Sequence, residues 1–304
     1  MRCLEISLFY RCVNRCVFCS NSEVMREFAR EKPSIDEIGA ELARWRGRGY
    51  GHVTFSGGEP TLSPRVWAVL RRAKELGYRT RVVSNGAGFS VPGFADAALP
   101  ALDEICLSIL SDRAREHDAM TRRAGSFDKI IVALKAALRA ERAPRVTVNT
   151  AVTRVNAGRL PELARMIASY GGVGEFWISA LIPEGEALRG YADLSLPYAE
   201  VMRHAHGAAE RAVADGIKVG FFGFPECALG RWSSNAGERE KNPSAAVALR
   251  RVESGVAFAE IPPEEGPRRV KASVCAACPR AAVCAGVWER HLRQYGETEV
   301  SCPH

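Results

Sequence analysis

The sequence predicts an α/β fold, a partial (β/α)6 TIM-like barrel followed by a small C-terminal cysteine-rich domain. Over the first two thirds of the 304 residues, short β-rich runs alternate with amphipathic helical stretches. Six such units in a row favour a parallel sheet covered by helices, and six are fewer than the eight that close a full barrel. The alternation then stops, and cysteines gather near the C-terminus.

Six strands are expected from runs of β-branched and other apolar residues, at 3–10, 52–57, 79–85, 104–110, 145–153 and 175–182. Alternation predicts which side of a strand faces the helices. In the fourth run, Ile105, Leu107 and Ile109 form the outward apolar face, and Cys106 and Ser108 point into the barrel. Polar groups inside a parallel barrel are costly unless they are bound or mutually satisfied, so the interior is a candidate ligand site.

The helices between the strands follow from caps and periodicity. The clearest has Ser63 as N-cap and Pro64 in its first turn, and it ends at Gly77. Its predicted buried face consists of Val66, Val69, Leu70 and Ala73. The same periodicity predicts helices over 34–46, 126–141 and 159–171.

After about residue 197 the pattern changes. One more helix and the strand-like run KVGFFG precede an irregular, charged segment at 228–272, and a second group of cysteines follows. This shift predicts two domains, the barrel at 1–215 and a small metal-stabilised domain at 216–304.

The composition narrows the class of protein. With 47% apolar and 25% charged residues, no run of about 18 apolar residues and no signal-peptide pattern, the chain is expected to be cytoplasmic. The net charge of +7 permits an anionic partner, but the basic residues are scattered and no stacked-aromatic RNA motif accompanies them. The pattern therefore disfavours nucleic acid as a partner.

Three cysteines stand together directly after the first strand. Cys12, Cys16 and Cys19 have the spacing C-x3-C-x2-C, and clustered thiols in a reducing compartment indicate metal ligands rather than disulfides. Three thiolates on an iron–sulfur cubane leave one iron open for an amine and a carboxylate. A zinc site or a structural cluster with a distant fourth cysteine is the alternative.

Several segments resemble the radical S-adenosylmethionine (radical SAM) enzymes. They are CVNRCVFC at 12–19, SGGEP at 56–60, VVSNG at 82–86, ICLSILSD at 105–112, the stretch 115–131, VNTAVTRVN at 148–156 and WISALIPEG at 177–185. SGGEP alone would be an ordinary turn, but its place at the end of the second strand, downstream of the three cysteines, makes it specific.

The resemblance implies the cofactors and the chemistry. One [4Fe-4S] cluster with an open iron would bind S-adenosylmethionine and cleave it reductively to a 5′-deoxyadenosyl radical, which abstracts hydrogen from a substrate. A reducing partner such as flavodoxin or ferredoxin is implied as well. The residues implied to contact S-adenosylmethionine are Phe18, Gly57, Gly58, Glu59, Pro60, Ser84, Asn85, Ser108, Asn149 and Ser179.

The second cysteine group has the spacing C-x2-C-x5-C, formed by Cys275, Cys278 and Cys284, with Cys302 further on. It resembles a truncated SPASM/twitch-like domain that holds an auxiliary [4Fe-4S] cluster. Trp288 stands where the two-cluster version has another cysteine, which favours a single auxiliary cluster. Structural zinc is the alternative.

Cys227, in GFPECALG, stands alone in the sequence, and three interpretations remain open. It is a packing residue, a ligand of the auxiliary cluster in place of Cys302, or the catalytic hydrogen-atom donor to a substrate radical. Cys3 and Cys106 are expected to be packing residues. Acid–base candidates near the barrel mouth are Asp112, His117, Asp118, Glu184 and Glu226.

The predicted function is hydrogen abstraction from a peptide or a small natural product, leading to epimerisation, dehydrogenation or cross-linking. The cluster loop begins by residue 12, so no small leader-binding domain is expected ahead of it, and the barrel and 228–272 would recognise the substrate. Two alternatives are a radical SAM enzyme that modifies RNA and a non-catalytic iron–sulfur protein that carries electrons.

Overall fold

Seven parallel strands form the body of the fold. The computed structural model describes residues 2–237, 245–253, 255–262 and 265–301. The strands lie side by side in chain order. They are β1 (Arg2–Phe9), β2 (Tyr50–Gly57), β3 (Arg79–Ser84), β4 (Glu104–Ser108), β5 (Arg145–Ala151), β6 (Val173–Ser179) and β7 (Lys218–Phe222). The predicted α/β class and its six parallel strands are confirmed, and β7 adds a seventh.

A hairpin extends the sheet beyond β1. Strand β8 (Ala245–Val252) pairs parallel with β1, with Leu4 opposite Ala245, and β9 (Gly255–Glu260) pairs antiparallel with β8. The sheet therefore has nine strands in the order β7-β6-β5-β4-β3-β2-β1-β8-β9. Strands β7, β8 and β9 all follow residue 215 and pair with the main sheet, while the division into two domains at 215/216 stays a prediction.

The helices of the barrel lie between the strands along the chain. They are α1 (Ser22–Phe28), α2 (Ile35–Gly47), α3 (Val66–Glu75), α4 (Phe94–Ala98), α5 (Ala114–Thr121), α6 (Ser126–Arg139), α7 (Leu160–Ser169), α8 (Gly185–Arg189), α9 (Tyr191–Leu194) and α10 (Tyr198–Ala214). A further helix, α11 (Glu289–Tyr295), lies near the C-terminus. Within the described residues, every helix is too short or too polar to cross a lipid bilayer.

Helix α3 begins later than its sequence signals predict. Its N-cap is Arg65 rather than Ser63, because a short 3-10 turn, Pro60–Leu62, occupies the chain just before it. The Ser63 hydroxyl still accepts a hydrogen bond from the Arg65 amide at 3.3 Å. The predicted apolar face is buried as expected.

Strand alternation in β4 follows the prediction. Ile105, Leu107 and Ile109 are fully buried in the core between sheet and helices. The amino-terminal end of the barrel interior is filled by polar pairs, since Glu175 forms an ion pair with Arg145 and accepts a hydrogen bond from Trp177 Nε1 at 3.1 Å. These contacts pair part of the polar interior at this end, while His52 Nε2 and Arg81 Nε are buried without a hydrogen-bond partner among the described residues.

The C-terminal segment packs back on the barrel. Strands β10 (Arg269–Val270) and β11 (Val287–Trp288) form a small antiparallel pair ahead of α11. His291 of α11 is buried and stacks on Tyr198 of α10, with ring centroids 3.7 Å apart. Burial lowers the pKa of His291 to about 4, so the ring packs as a neutral imidazole at pH 7.

Candidate functional site

The three-cysteine loop lies at the carboxyl end of the parallel strands, because it follows directly on the end of β1 at Phe9. Cys12, Cys16 and Cys19 line one cavity of about 540 Å³, together with arginines that include Arg15 and Arg122. The predicted grouping of the three thiols at one site is therefore present in the fold.

Two other segments hold this loop in place. The amides of Arg15 and Val17 donate to the carbonyls of Thr121 and Met120, each at 2.9 Å, which ties the loop to the end of α5. On its other side, the Cys19 carbonyl accepts from the Glu186 amide, in the first turn of α8, at 2.9 Å. A side chain at Gly185, where φ is +55°, would meet the Cys19 oxygen at 2.4 Å, so this close approach requires glycine.

The SGGEP segment packs against the backbone that leads into Cys12. A Cβ on Gly58 would lie 2.6 Å from the Arg11 oxygen, and one on Gly57, where φ is +127°, would lie 2.7 Å from the Phe9 oxygen. The Gly58 and Glu59 amides donate to those same two carbonyls, of Phe9 at 2.7 Å and of Arg11 at 2.9 Å. Only glycine allows this contact, which fixes the end of β2 against the cysteine loop.

Glu59 is the central polar group of the site. Its side chain is 1% exposed, and its Oε1 accepts from the Thr61 amide at 3.0 Å, the Thr61 hydroxyl at 2.5 Å and the Ser84 hydroxyl at 2.8 Å. Oε2 accepts from the Asn85 amide at 2.6 Å. Burial raises the pKa of Glu59, and the four donors oppose that shift. One carboxylate thus joins the ends of β2 and β3.

Asn85 connects this network to the cysteines. Its backbone is held by Glu59, and its side-chain Nδ2 donates to Cys12 Sγ at 3.3 Å. The Asn14 amide also reaches Cys12 Sγ, at 3.4 Å. Hydrogen bonds from nitrogen to sulfur suit a ligand thiolate and help to set the potential of a bound cluster.

The other residues predicted to contact S-adenosylmethionine lie mainly along the carboxyl end of the parallel sheet. Ser108, Asn149 and Ser179 lie at or near the ends of three neighbouring strands, β4, β5 and β6, with Ser108 paired to Asn149 in the sheet register. The Ser179 hydroxyl donates to Asn149 Oδ1 at 2.7 Å. Phe18 packs against an apolar cluster that includes Tyr191. Pro60 is buried and opens the 3-10 turn after Glu59.

The three thiols suit a positively charged, soft metal centre. Burial raises the pKa of Cys12 to about 11, and it also raises the pKa of Cys16 and Cys19. Cationic iron stabilises the thiolate form against this desolvation. Cysteine thiolates are the usual ligands of iron–sulfur clusters, and the three thiols that line this cavity fit that role.

Four of the five acid–base candidates are engaged in structural contacts, with Asp118 described below. Asp112 accepts from Arg159 Nε at 3.1 Å, Glu226 accepts from Arg280 Nε at 2.7 Å, and His117 Nδ1 accepts from the Leu110 amide at 3.2 Å. Burial lowers the pKa of His117 to about 4, so it is neutral at pH 7. For Glu184 of the loop after β6, burial raises the pKa of the carboxyl group.

Sequence reasoning missed two supporting residues. Asn21 donates from Nδ2 to the Gly57 carbonyl at 2.9 Å, which bridges the two motifs. Arg122 adopts φ of +50° at the end of α5, is the one non-glycine residue with positive φ in the described chain, and lines the cysteine cavity. A non-glycine residue in this conformation has no signature in the sequence, although Arg122 lies within the stretch 115–131 that resembles the radical SAM enzymes.

Asp118 holds the segment that anchors the cysteine loop. Its carboxylate accepts from the Gly125 amide at 2.7 Å and from the Ser126 hydroxyl and the Phe127 amide at 2.8 Å, at the start of α6. Partial burial works against ionisation, but these three donors outweigh it and hold the pKa of Asp118 below its usual value.

We expect Asp118→Ala to lower the free energy of unfolding by about 1–2 kcal/mol, as the loss of a helix cap does. Because Thr121 and Met120 hold the cysteine loop, iron should also be lost faster to a chelator. Chemical unfolding and the rate of iron release measure the two effects. Asp96→Ala, in the first turn of α4, is the control. Equal iron release in both variants would contradict the anchoring role.

The structure also brings together the second cysteine group. Cys275, Cys278 and Cys284 line one cavity, and Cys227 lines it too, from the segment after β7. Cys302 lies outside the described residues. Trp288, where a cysteine is missing, is buried in β11 beneath the guanidinium of Arg269, 4.0 Å from the ring centroid.

Comparison with known proteins agrees with this architecture. Residues 6–174 match the family model "Radical SAM superfamily". The chain is 28% identical over 193 residues to mycofactocin maturase MftC of Mycobacterium tuberculosis, which covers 63% of this chain and 48% of the relative. It is 27% identical over 159 residues to PqqA peptide cyclase of Rhizobium meliloti, covering 52% of this chain and 42% of the relative.

A third relative is the S-adenosylmethionine-dependent nucleotide dehydratase of Flammeovirga pacifica, 31% identical over 161 residues, which covers 50% of this chain and 54% of the relative. The chain thus spans about half the length of the curated relatives it matches. The crystal structure of Streptococcus suis SuiB bound to S-adenosylmethionine superposes with a TM-score of 0.67 at 16% identity, over 99% of this chain and 76% of that one. With more than half of its residues matched by the family model, the chain belongs to the radical SAM superfamily of enzymes.

Proposed function

We propose that this chain reductively cleaves S-adenosylmethionine at the Cys12–Cys16–Cys19 loop and uses the resulting radical to abstract hydrogen from a substrate. The observation that carries the proposal is the convergence of the three thiols with Glu59 and Asn85 at one end of the barrel. When bound there, a [4Fe-4S] cluster supplies the electron that breaks the carbon–sulfur bond of S-adenosylmethionine.

The residues of this chain would bind the cluster and S-adenosylmethionine, orient them and shield them from solvent. The three cysteines hold the cluster, and the amides of Asn14 and Asn85 stabilise Cys12 as a thiolate. The glycines of SGGEP let the end of β2 pack against the backbone that leads into Cys12, and Glu59 holds the turn that follows. Ser108, Asn149 and Ser179 continue the edge and would orient the nucleoside part of the cofactor.

A peptide is the substrate class that we propose first. The relative named PqqA peptide cyclase supports it by its name. A nucleotide is the second candidate, because a 31% identical relative is named a nucleotide dehydratase. An auxiliary [4Fe-4S] cluster on the C-terminal cysteines and a protein reductant of the flavodoxin or ferredoxin type belong to the same proposal.

The test is anaerobic turnover with dithionite as reductant. The reconstituted chain should form 5′-deoxyadenosine from S-adenosylmethionine, and omission of dithionite should abolish the product. A library of short synthetic peptides, or a mixture of nucleoside triphosphates, is then added. The substrate class is the one that raises the rate of 5′-deoxyadenosine formation and whose loss of hydrogen is detected by mass spectrometry. Failure to form 5′-deoxyadenosine at all would overturn the proposal, and stimulation by nucleotides alone would transfer it to the second class.

A further inference from the structure

Four cysteines from two distant parts of the chain share one pocket. Cys227 lies in the 3-10 segment that follows β7, whereas Cys275, Cys278 and Cys284 lie between β10 and β11. All four line the same cavity, and Cys227 is absent from the residues that line the cavity of the N-terminal cysteine loop. The fold, and not the spacing in the sequence, brings Cys227 to the C-terminal group.

One of these sulfurs accepts a hydrogen bond from a backbone amide, since the Gly286 amide donates to Cys284 Sγ at 3.3 Å. Gly286 has φ of +90°, and a Cβ there would lie 2.5 Å from the Val270 oxygen, so only glycine can present its amide in this way. Amide-to-sulfur bonds of this kind support the thiolates of iron–sulfur clusters.

The charges around the pocket suit an anionic cluster. Lys271 and Arg280 both line it. Arg280 is fixed there by its ion pair with Glu226, the residue next to Cys227, and the Lys271 ammonium donates to the Cys284 carbonyl. A cubane with four thiolate ligands carries a net negative charge. Glu226, which also lines the pocket, already pairs with Arg280, so Lys271 is the cation that compensates part of the charge of the cluster.

We infer that Cys227 is the fourth thiolate of an auxiliary [4Fe-4S] cluster whose other ligands are Cys275, Cys278 and Cys284. The inference rests on the proposed function for the presence of an auxiliary cluster, and it deepens that proposal by naming the ligand set. Cys227 is then neither a packing residue nor the hydrogen-atom donor, and Cys302 is not required. The cluster joins the segment after β7 to the C-terminal segment.

The experiment isolates the auxiliary cluster from the first one. Full-length chain carrying Cys12, Cys16 and Cys19→Ala is reconstituted anaerobically with iron and sulfide, and it should hold about four irons per chain. Adding Cys227→Ser should lower that number to near zero, or yield the electron paramagnetic resonance signal of a three-iron cluster. Adding Cys302→Ser instead, the matched control, should leave about four irons in place.

Each alternative has its own outcome. Loss of iron with Cys302→Ser and retention with Cys227→Ser would overturn the inference in favour of Cys302. Bound zinc, or no metal, in the triple variant would overturn it altogether. Retention of about eight irons by Cys227→Ser in the chain with an intact N-terminal loop would also overturn it.

Two controls keep the folding and the proposed function separate. Cys227→Ser in the chain with an intact N-terminal loop should still hold about four irons, which shows that the barrel is folded. If the wild type fails to cleave S-adenosylmethionine while the triple variant holds iron through Cys227, the proposed function fails and the ligand assignment stands.

Discussion

Replacing Cys12, Cys16 and Cys19 together by alanine is expected to lower the iron content of the reconstituted chain from about eight to about four atoms and to abolish 5′-deoxyadenosine formation. The reason is geometric. The three thiols line one cavity at the end of β1, and no other described cysteine lines it. Iron and sulfide assays and chromatography of the nucleoside product measure both effects.

Cys3→Ser is the matched control for this triple variant. Cys3 lies near the opposite end of β1, where its thiol is 3.6 Å from the Thr54 hydroxyl, and serine can keep that contact. The control should retain about eight irons and full cofactor cleavage. Eight irons in the triple variant, or continued formation of 5′-deoxyadenosine, would contradict the assignment of these cysteines.

Glu59→Gln should have the second largest effect. The carboxylate accepts four hydrogen bonds in a fully buried position, and an amide places its NH₂ group against donors that it cannot satisfy. A buried donor left unsatisfied costs about 1–3 kcal/mol, so the free energy of unfolding should fall by about 2 kcal/mol. Because Glu59 holds the Asn85 backbone, 5′-deoxyadenosine formation should fall by more than tenfold.

A buried glutamate far from the site provides the comparison. Glu41 of α2 accepts from Trp45 Nε1 at 2.6 Å and from Arg44 Nε at 2.9 Å. Glu41→Gln should cost similar stability and leave turnover per folded molecule unchanged. Thermal melts and turnover at a temperature where both variants are folded make this comparison. Equal turnover in the two variants would show that Glu59 acts through stability alone.

The part of the fold that could be predicted is the part encoded by patterns within single segments of the sequence. The six strands and the buried face of α3 follow from periodicity, which each segment carries within itself. The later start of α3 does not follow from periodicity, because it depends on the 3-10 turn that Glu59 caps just before the helix. The pairing of Leu4 with Ala245 depends on two segments that are remote in sequence, and no local pattern encodes that register.

The candidate site also has residues that local patterns identify and residues that only tertiary contacts bring together. Motif spacing was sufficient to identify Cys12, Cys16 and Cys19 as a group, and the structure brings them to one cavity. The convergence of Cys227 with the C-terminal cysteines was one of three open interpretations, since a lone cysteine carries no spacing information. The anchoring of the cysteine loop by the end of α5 also depends on tertiary contacts alone.

The pairing of β1 with β8 has a consequence for the order of folding. The strand that carries the cysteine loop is flanked by β2 on one side and by β8 on the other. During synthesis β2 is made soon after β1, whereas β8 follows only after seven strands are complete. Until then one side of β1 is an unpaired edge, open to pairing with another chain. Closing it is the longest-range step in the sheet, so the cysteine loop reaches its final support late in folding.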